Sequence, residues 1–136
     1  MIVVHTEIPV APDEEAAFRD LAAELVARAE RAEPDTVRYR ASVGVGDRPV
    51  ARFFEQYADA AAAETHRASD LYRRFNERLP ELADGEIETV QFEVPADAVA
   101  TATFTPEEAA AAVADETEET DEREGADETE ETNETE

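Results

Sequence analysis

The sequence predicts an α+β fold in which two helical regions pack on one face of an antiparallel four-stranded sheet. Four short runs alternate apolar and polar residues with the period of two that is typical of strands. Two stretches between them repeat apolar residues at every third or fourth position, as amphipathic helices do. The composition changes near residue 95, so we place the folded domain at residues 1–95, an appendage at 96–114 and a tail at 115–136.

The first strand and the first helix are predicted near the start of the chain. Residues 2–8 alternate as a strand does. Pro12 and Asp13 predict a helix start with Asp13 as the N-cap, and Pro34 predicts the helix end. The apolar positions between them follow helical spacing: Phe18, Leu21, Ala22, Leu25, Val26 and Ala29.

A β-hairpin and a second helical region follow. Residues 36–45 and 50–57 alternate as strands, and Gly-Asp-Arg-Pro at 46–49 predicts the turn between them. Asp59 and Ser69 are the predicted N-caps of a short Ala-rich helix and of a longer helix.

The last predicted strand completes a known arrangement. Gly85 ends the helical region, and residues 86–94 alternate again. The order β-α-β-β-α-β is that of ferredoxin-like folds, which place both helical regions on one face of the sheet. Bulky residues occur on both faces of the strands, so we expect a homodimer whose uncovered sheet faces meet and enclose a small interior, a dimeric α/β-barrel.

The charge balance predicts adaptation to concentrated salt. The formal net charge is −24, and all 12 basic residues are Arg. Abundant Asp, Glu and Ala without any Lys indicate a halophilic cytoplasm of the archaeal type. This negative charge opposes binding to nucleic acid and to anionic membranes, so we expect neither as a partner.

The melting temperature should therefore rise from dilute buffer to multimolar KCl. Molar salt shortens the Debye length to about 3 Å and removes the repulsion among the acidic groups. Thermal unfolding followed by circular dichroism at increasing KCl measures this. Equal melting temperatures in dilute and multimolar KCl would contradict the expectation.

Several classes of protein are excluded by what the sequence lacks. The chain contains no Cys, which excludes disulfides and zinc-thiolate sites. The first ten residues do not resemble a signal peptide, and no run of about 18 apolar residues predicts a membrane span. The spacings HxxEH, HxH and DxD do not occur, so we predict no metal site. We expect a soluble cytoplasmic protein.

The C-terminal part has a different character. Residues 105–136 contain 15 acidic residues against Arg123, and DETEET occurs twice within them. We expect a disordered tail, either one that raises solubility or one that binds a basic partner. Thr105-Pro106-Glu107-Glu108 predicts a helix start within the appendage, which we expect to lie on the partner subunit.

Two short motifs carry a family resemblance. Phe54-Glu55-Gln56-Tyr57 ends a predicted strand, and His66-Arg67-Ala68-Ser69 follows after an Ala-rich helix. Together with the element order over residues 1–95, they resemble the antibiotic biosynthesis monooxygenase family. The resemblance implies dimeric α+β barrels that oxygenate quinols or related phenols without metal, flavin or haem, and therefore no cofactor. It also places His66 and Glu55 at recurring positions and Tyr57 where many members have Trp.

The candidate catalytic residues are His66 and Glu55. Histidine has an unperturbed pKa of about 6.5, which suits a general base near neutral pH. The alternative is a structural histidine that pairs with Glu55 and ties a helix to the sheet. Glu55 has aromatic neighbours on its strand, and a buried carboxylate there needs a polar partner. The candidates are His66 and, on the adjacent strand, Arg38 or Arg40.

The candidate substrate-binding residues are mostly aromatic: Tyr57, Phe54, Phe53, Tyr39 and His5. The two tyrosines could donate hydrogen bonds to a quinol oxygen, or belong to the core. His5 could line the same interior, or be exposed or buried in a dimer.

Two functions remain open at this stage. The first is a cofactor-independent monooxygenase with a small aromatic or quinone-like substrate. The second is a non-catalytic dimeric module of the same fold, either a ligand binder or a stress-associated structural protein.

Overall fold

The computed structural model of the protein describes residues 1–44, 47–94 and 99–115, and it has the α+β architecture that the sequence predicts. The first half contains β1 (Ile2–Pro9), a 3-10 turn (Pro12–Glu14), α1 (Glu15–Ala32), β2 (Thr36–Val43) and β3 (Val50–Tyr57). The second half contains α2 (Ala60–Arg67), α3 (Asp70–Leu82), β4 (Ile87–Glu93), β5 (Val99–Phe104) and α4 (residues 106–115).

The strands form one antiparallel sheet in the order β2-β3-β1-β4-β5. The first four strands have the ferredoxin-like order, which confirms the predicted fold class. In the central strand, Val4 lies opposite Glu55 on one side and opposite Gln91 on the other. Residues of these three strands therefore share one face near the middle of the sheet.

Two of the three predicted helix caps are confirmed. The Asp59 carboxylate accepts a hydrogen bond from the Ala62 amide at 2.8 Å, and the Ser69 hydroxyl accepts one from the Tyr72 amide at 3.3 Å. The prediction for Asp13 is wrong, because Pro12 starts a 3-10 turn that contains Asp13. The predicted turn at 46–49 lies partly outside the described residues.

The core lies between the sheet and helices α1 and α3. Phe53 of β3 packs edge-to-face against Phe18 of α1 and Phe75 of α3, with ring centroids 6.3 and 5.6 Å apart. Aliphatic residues from the helices and strands surround these rings: Ile8, Leu21, Leu25, Leu79, Leu82 and Ile87.

The opposite face of the sheet carries a small aromatic group. The ring of His5 lies 5.2 Å from that of Phe54 and 5.7 Å from that of Phe92. None of the described helices covers these side chains, and the predicted homodimer through this face stays a prediction.

The C-terminal segment adds a fifth strand to the sheet and then forms a helix that packs against the same chain. Strand β5 pairs with β4, which the sequence did not predict. Helix α4 begins with a capping box, in which the Thr105 hydroxyl accepts from the Glu108 amide at 3.1 Å and the Glu108 carboxylate accepts from the Thr105 amide at 2.9 Å. Ala109 and Val113 are buried, and Arg73 of α3 donates a hydrogen bond to the Val113 carbonyl at 3.3 Å. These contacts lie within one chain, so the expected contact with a partner subunit is not needed to bury the helix.

Two further predictions concern the acidic tail and the absence of a membrane span. The predicted acidic tail lies almost entirely outside the described residues, and both hypotheses for it stay predictions. Among the residues that the structure describes, no helix is long and apolar enough to span a bilayer.

Candidate active site

A cavity of about 240 Å³ lies between the helix-covered face of the sheet and helices α2 and α3. Its wall combines aromatic and aliphatic side chains with a few polar groups, which is typical of small-molecule sites. The polar residues of the wall are Thr6, Glu55, His66, Arg67, Asn76, Thr89 and Gln91. This cavity lies within one chain, and the interior expected between the sheets of two subunits stays a prediction.

His66 is held at the cavity by the break between two helices. It lies in the last turn of α2, and the chain then leaves helical geometry at the N-cap of α3, Ser69. The Ser69 hydroxyl donates a 2.7 Å hydrogen bond to the His66 carbonyl, which satisfies a carbonyl at the helix end. The side chain of His66 is only 1% exposed, so its position is fixed by packing.

All three tyrosines of the chain surround the His66 ring. The ring centroids of Tyr39, Tyr72 and Tyr57 lie 4.7, 5.3 and 5.7 Å from it. They come from β2, α3 and β3, so the imidazole is enclosed from three elements.

Glu33 is the hydrogen-bond partner of His66. Its Oε1 atom lies 2.8 Å from Nδ1 of His66. The same carboxylate accepts bonds from Arg28 at 2.7 Å and from the Thr36 hydroxyl at 3.0 Å. The Glu33 side chain is 4% exposed, so these three contacts hold a buried carboxylate in an ion-pair network.

The position of Glu33 follows from the next residue, Pro34. A residue before proline is disfavoured in the α region, and Glu33 has φ −122° and ψ 82°. Helix α1 therefore ends at Ala32, and the Glu33 carboxylate contacts the ring of His66 in α2.

The second ring nitrogen of His66 has no hydrogen-bond partner. Nε2 is buried without a bond to any described residue, and the nearest carboxylate oxygen, Oε1 of Glu55, lies 3.9 Å away. This separation is too long for a hydrogen bond. The predicted hydrogen bond between Glu55 and His66 is therefore wrong. Glu33 is the hydrogen-bond partner of His66, and Nε2 lies next to Glu55 at the cavity wall.

Burial shifts the pKa values of the site in a consistent way. Desolvation lowers the pKa of His66 below its ordinary value, although the nearby Glu33 acts in the opposite direction. Desolvation also raises the pKa of Glu55 from 4.5 to about 7, against hydrogen bonds from Tyr39 and Tyr57 and the charge of Arg67. The pKa values of both tyrosines are raised, first by burial and then by Glu55.

These shifts define the acid and base groups available near neutral pH. His66 is neutral, and Glu55 is close to the midpoint of its titration. The two tyrosine hydroxyls remain protonated and can donate hydrogen bonds. An apolar cavity with a free imidazole nitrogen, a titrating carboxyl and phenolic donors is suited to removing a proton from a bound ligand.

The structure places five of the seven predicted site residues at this cavity. These are His66, Glu55, Tyr57, Tyr39 and Phe53. Phe54 and His5 lie on the other face of the sheet and do not line this cavity, so a binding role for them stays a prediction. Neighbouring strand residues point to opposite faces, so the side chain of Phe54 is directed away from the cavity that Phe53 lines.

The alternative partners predicted for Glu55 are not supported. Arg40 points away and pairs with Glu30 at 2.9 Å on the exposed surface. Arg38 is exposed and lies opposite Gln56 in the sheet, so it shares the other face with that residue. The cation whose charge acts on the Glu55 carboxyl is Arg67, which also lines the cavity.

Two residues of the site, Glu33 and Tyr72, were not predicted from the sequence. Glu33 gave one usable signal, since an acidic residue at the C-terminal end of a helix is disfavoured by the helix dipole and needs a cationic partner. Tyr72 of α3 was not among the predicted site residues. Within the described residues, no group of three or more His, Asp or Glu side chains is arranged as a metal site.

Comparison with known proteins agrees with this architecture. Residues 1–78 match the family model of the antibiotic biosynthesis monooxygenases. No curated protein matches the chain.

Solved structures share the fold at low identity. A proposed monooxygenase of Fusobacterium nucleatum is 19% identical with a TM-score of 0.63, and the match covers 66% of this chain but only 42% of that one. A proposed antibiotic biosynthesis monooxygenase of Caulobacter crescentus is 21% identical with a TM-score of 0.62, covering 67% and 86% of the two chains. A conserved protein of Methanosarcina mazei is 21% identical with a TM-score of 0.61, covering 68% and 90%. At these identities the structures show the fold alone, whereas the family model matches more than half of the sequence, and the chain therefore belongs to the antibiotic biosynthesis monooxygenase family.

Proposed function

We propose that the protein is a cofactor-independent monooxygenase that acts on quinols or related phenols, with His66 as the general base. The observation that carries this proposal is the Nε2 atom of His66, which is buried beside the cavity without a hydrogen-bond partner among the described residues. A buried polar atom without a partner costs free energy, and a ligand hydroxyl would remove that cost.

The cavity suits an aromatic ligand of one or two rings. An apolar cavity of about 150 Å³ accommodates benzene, and the volume here is about 240 Å³. Phe53, Phe75 and Leu79 supply apolar surface, and Glu55 and His66 supply polar groups. A phenol would place its ring against the first set and its hydroxyl against the second.

The proposed reaction begins with the transfer of the phenol proton to Nε2 of His66. The resulting phenolate is electron-rich and donates an electron to dioxygen, and the two radicals combine at a ring carbon. The imidazolium of His66 returns its proton to the peroxide, and the resulting hydroperoxide then loses its outer oxygen as water together with the hydrogen of the same ring carbon, which leaves a carbonyl. For a hydroquinone, one molecule of the quinol and one of dioxygen give one molecule of hydroxyquinone and one of water. One oxygen atom of dioxygen therefore enters the product, and the other becomes water.

The neighbouring groups have supporting roles in this scheme. The hydroxyls of Tyr39 and Tyr57 donate to the Glu55 carboxylate in the free protein, and in this scheme they turn to the phenolate oxygen when Glu55 is protonated, which stabilises negative charge in a buried site. Glu55 in its protonated form supplies the proton that leaves with water, and its raised pKa keeps part of it protonated near pH 7.

Oxygen uptake with a panel of hydroquinones and naphthoquinols in molar KCl tests the proposal. We expect uptake above the enzyme-free autoxidation rate for at least one compound, with a product heavier than the corresponding quinone by one oxygen atom. Uptake equal to autoxidation for the whole panel would contradict it.

One observation favours the non-catalytic alternative. The 2.8 Å bond between His66 and Glu33 joins α2 to the end of α1, as a purely structural histidine would. In that case loss of His66 lowers the melting temperature and removes no activity.

A further inference from the structure

We propose that Glu33 is a positioning residue for His66, which holds the proton of the imidazole on Nδ1 and thereby keeps the lone pair of Nε2 directed at the cavity. This inference deepens the proposed function and rests on it for the catalytic consequence. The tautomer that it assigns to His66 can be measured independently of any activity.

The bonding of Glu33 supports this role. Oε2 accepts from Arg28 at 2.7 Å, and Oε1 accepts from the Thr36 hydroxyl at 3.0 Å. A carboxylate paired with a guanidinium is ionised and has no proton to donate. The 2.8 Å contact between Oε1 and His66 therefore requires a proton on Nδ1.

The neutral imidazole then has one remaining acceptor. Because only one nitrogen carries a proton in the neutral ring, Nε2 presents its lone pair. The other ionisable groups around the ring are Glu55 and Tyr57 of β3, Tyr39 of β2, Tyr72 of α3, and Arg67. None of the described residues donates a hydrogen bond to Nε2.

Glu33 also stabilises the ring after proton transfer. When Nε2 takes a proton, the imidazolium lies 2.8 Å from a buried carboxylate, which offsets part of the desolvation cost. The carboxylate of a serine protease triad acts on its histidine in the same way. Glu33 is not among the residues that line the cavity, so it acts through His66.

Glu33→Gln tests the assignment with a specific structural consequence. Arg28 offers only donors, so the amide oxygen of the introduced glutamine should turn towards it and the amide NH2 towards Nδ1 of His66. Nδ1 then becomes the acceptor and the proton moves to Nε2. The base is blocked, and we expect turnover to fall by about 10²- to 10⁴-fold, as on loss of the general base itself.

The readout is the 15N spectrum of the imidazole rings with and without the substitution. The chain has two histidines, and His5 is exposed on the other face of the sheet, so it serves as an internal reference. In the wild type we expect the His66 signals of an Nδ1-protonated ring, and in Glu33→Gln those of an Nε2-protonated ring. Glu33→Asp retains the charge and should retain the wild-type tautomer.

A matched substitution near the end of α1, three residues before Glu33, separates this effect from general charge loss. Glu30 is 57% exposed and pairs with Arg40, so Glu30→Gln should leave the His66 signals and the turnover unchanged. A wild-type His66 protonated on Nε2, or a Glu33→Gln variant with an unchanged tautomer, would overturn the inference. If Glu33→Gln does not fold, the wild-type spectrum alone decides. An Nδ1-protonated His66 in a protein without quinol turnover would sustain the inference and reject only the proposed function.

Discussion

Replacement of His66 by asparagine should lower quinol turnover by about 10²- to 10⁴-fold, the usual contribution of a general base, while the fold is retained. Asparagine removes Nε2, but its amide nitrogen lies close to the position of Nδ1. The hydrogen bond to Glu33, which measures 2.8 Å from Nδ1, therefore keeps a donor. Loss of activity would then result from the missing base and not from an unpaired buried carboxylate.

The matched control is His5→Asn. His5 is exposed on the opposite face of the sheet, so this substitution should not change turnover. Steady-state oxygen uptake and melting temperatures of both variants in molar KCl make the comparison. Turnover of His66→Asn within a factor of about two of the wild type would contradict the assignment of the base, since a general base contributes far more.

Replacement of Glu55 by glutamine should stabilise the protein at alkaline pH. Burial raises the pKa of Glu55 to about 7 from 4.5, so the folded protein binds an additional proton between these values. Stability from this group is fully present below pH 4.5 and is lost as the pH rises through 7. The shift corresponds to a loss of about 3 kcal/mol at pH 8, which an uncharged glutamine avoids.

Urea unfolding of the wild type and Glu55→Gln at pH 4.5 and pH 8 measures this effect. We expect the difference in the free energy of unfolding to change in favour of Glu55→Gln by about 3 kcal/mol between the two pH values. Glu88→Gln alters an exposed residue on the opposite face and should change stability by less than about 0.5 kcal/mol. A difference that does not vary with pH would show that Glu55 titrates normally.

The fold could be predicted because its signals are local. Alternation fixed the strands, and helical spacing with Asp59 and Ser69 as caps fixed the starts of α2 and α3. The prediction of Asp13 as an N-cap failed because Pro12 begins a 3-10 turn that contains Asp13. Strand β5 was missed because backbone pairing with the edge of β4 forms it, and residues 99–104 carry little apolar patterning of their own.

The site could be predicted only in part because its decisive contacts are non-local. Glu33 and His66 are 33 residues apart, and no spacing rule joins the end of one helix to the end of another. Glu55 is nearer in sequence and was predicted as the partner, but the two side chains stop 3.9 Å apart. Phe53 lies at the cavity and Phe54 does not, because the described helices cover only one face of the sheet. The sequence does not indicate which face that is, since both faces contain bulky residues.

The measurement that tests the central claim most directly is product mass after turnover under 18O2, compared between the wild type and His66→Asn. We predict one labelled oxygen atom in the product, formed by the wild type above the autoxidation control and lost in the variant. Labelled product formed equally by both proteins, or by neither above the control, would contradict His66-dependent oxygenation and favour a cavity that binds its ligand without changing it.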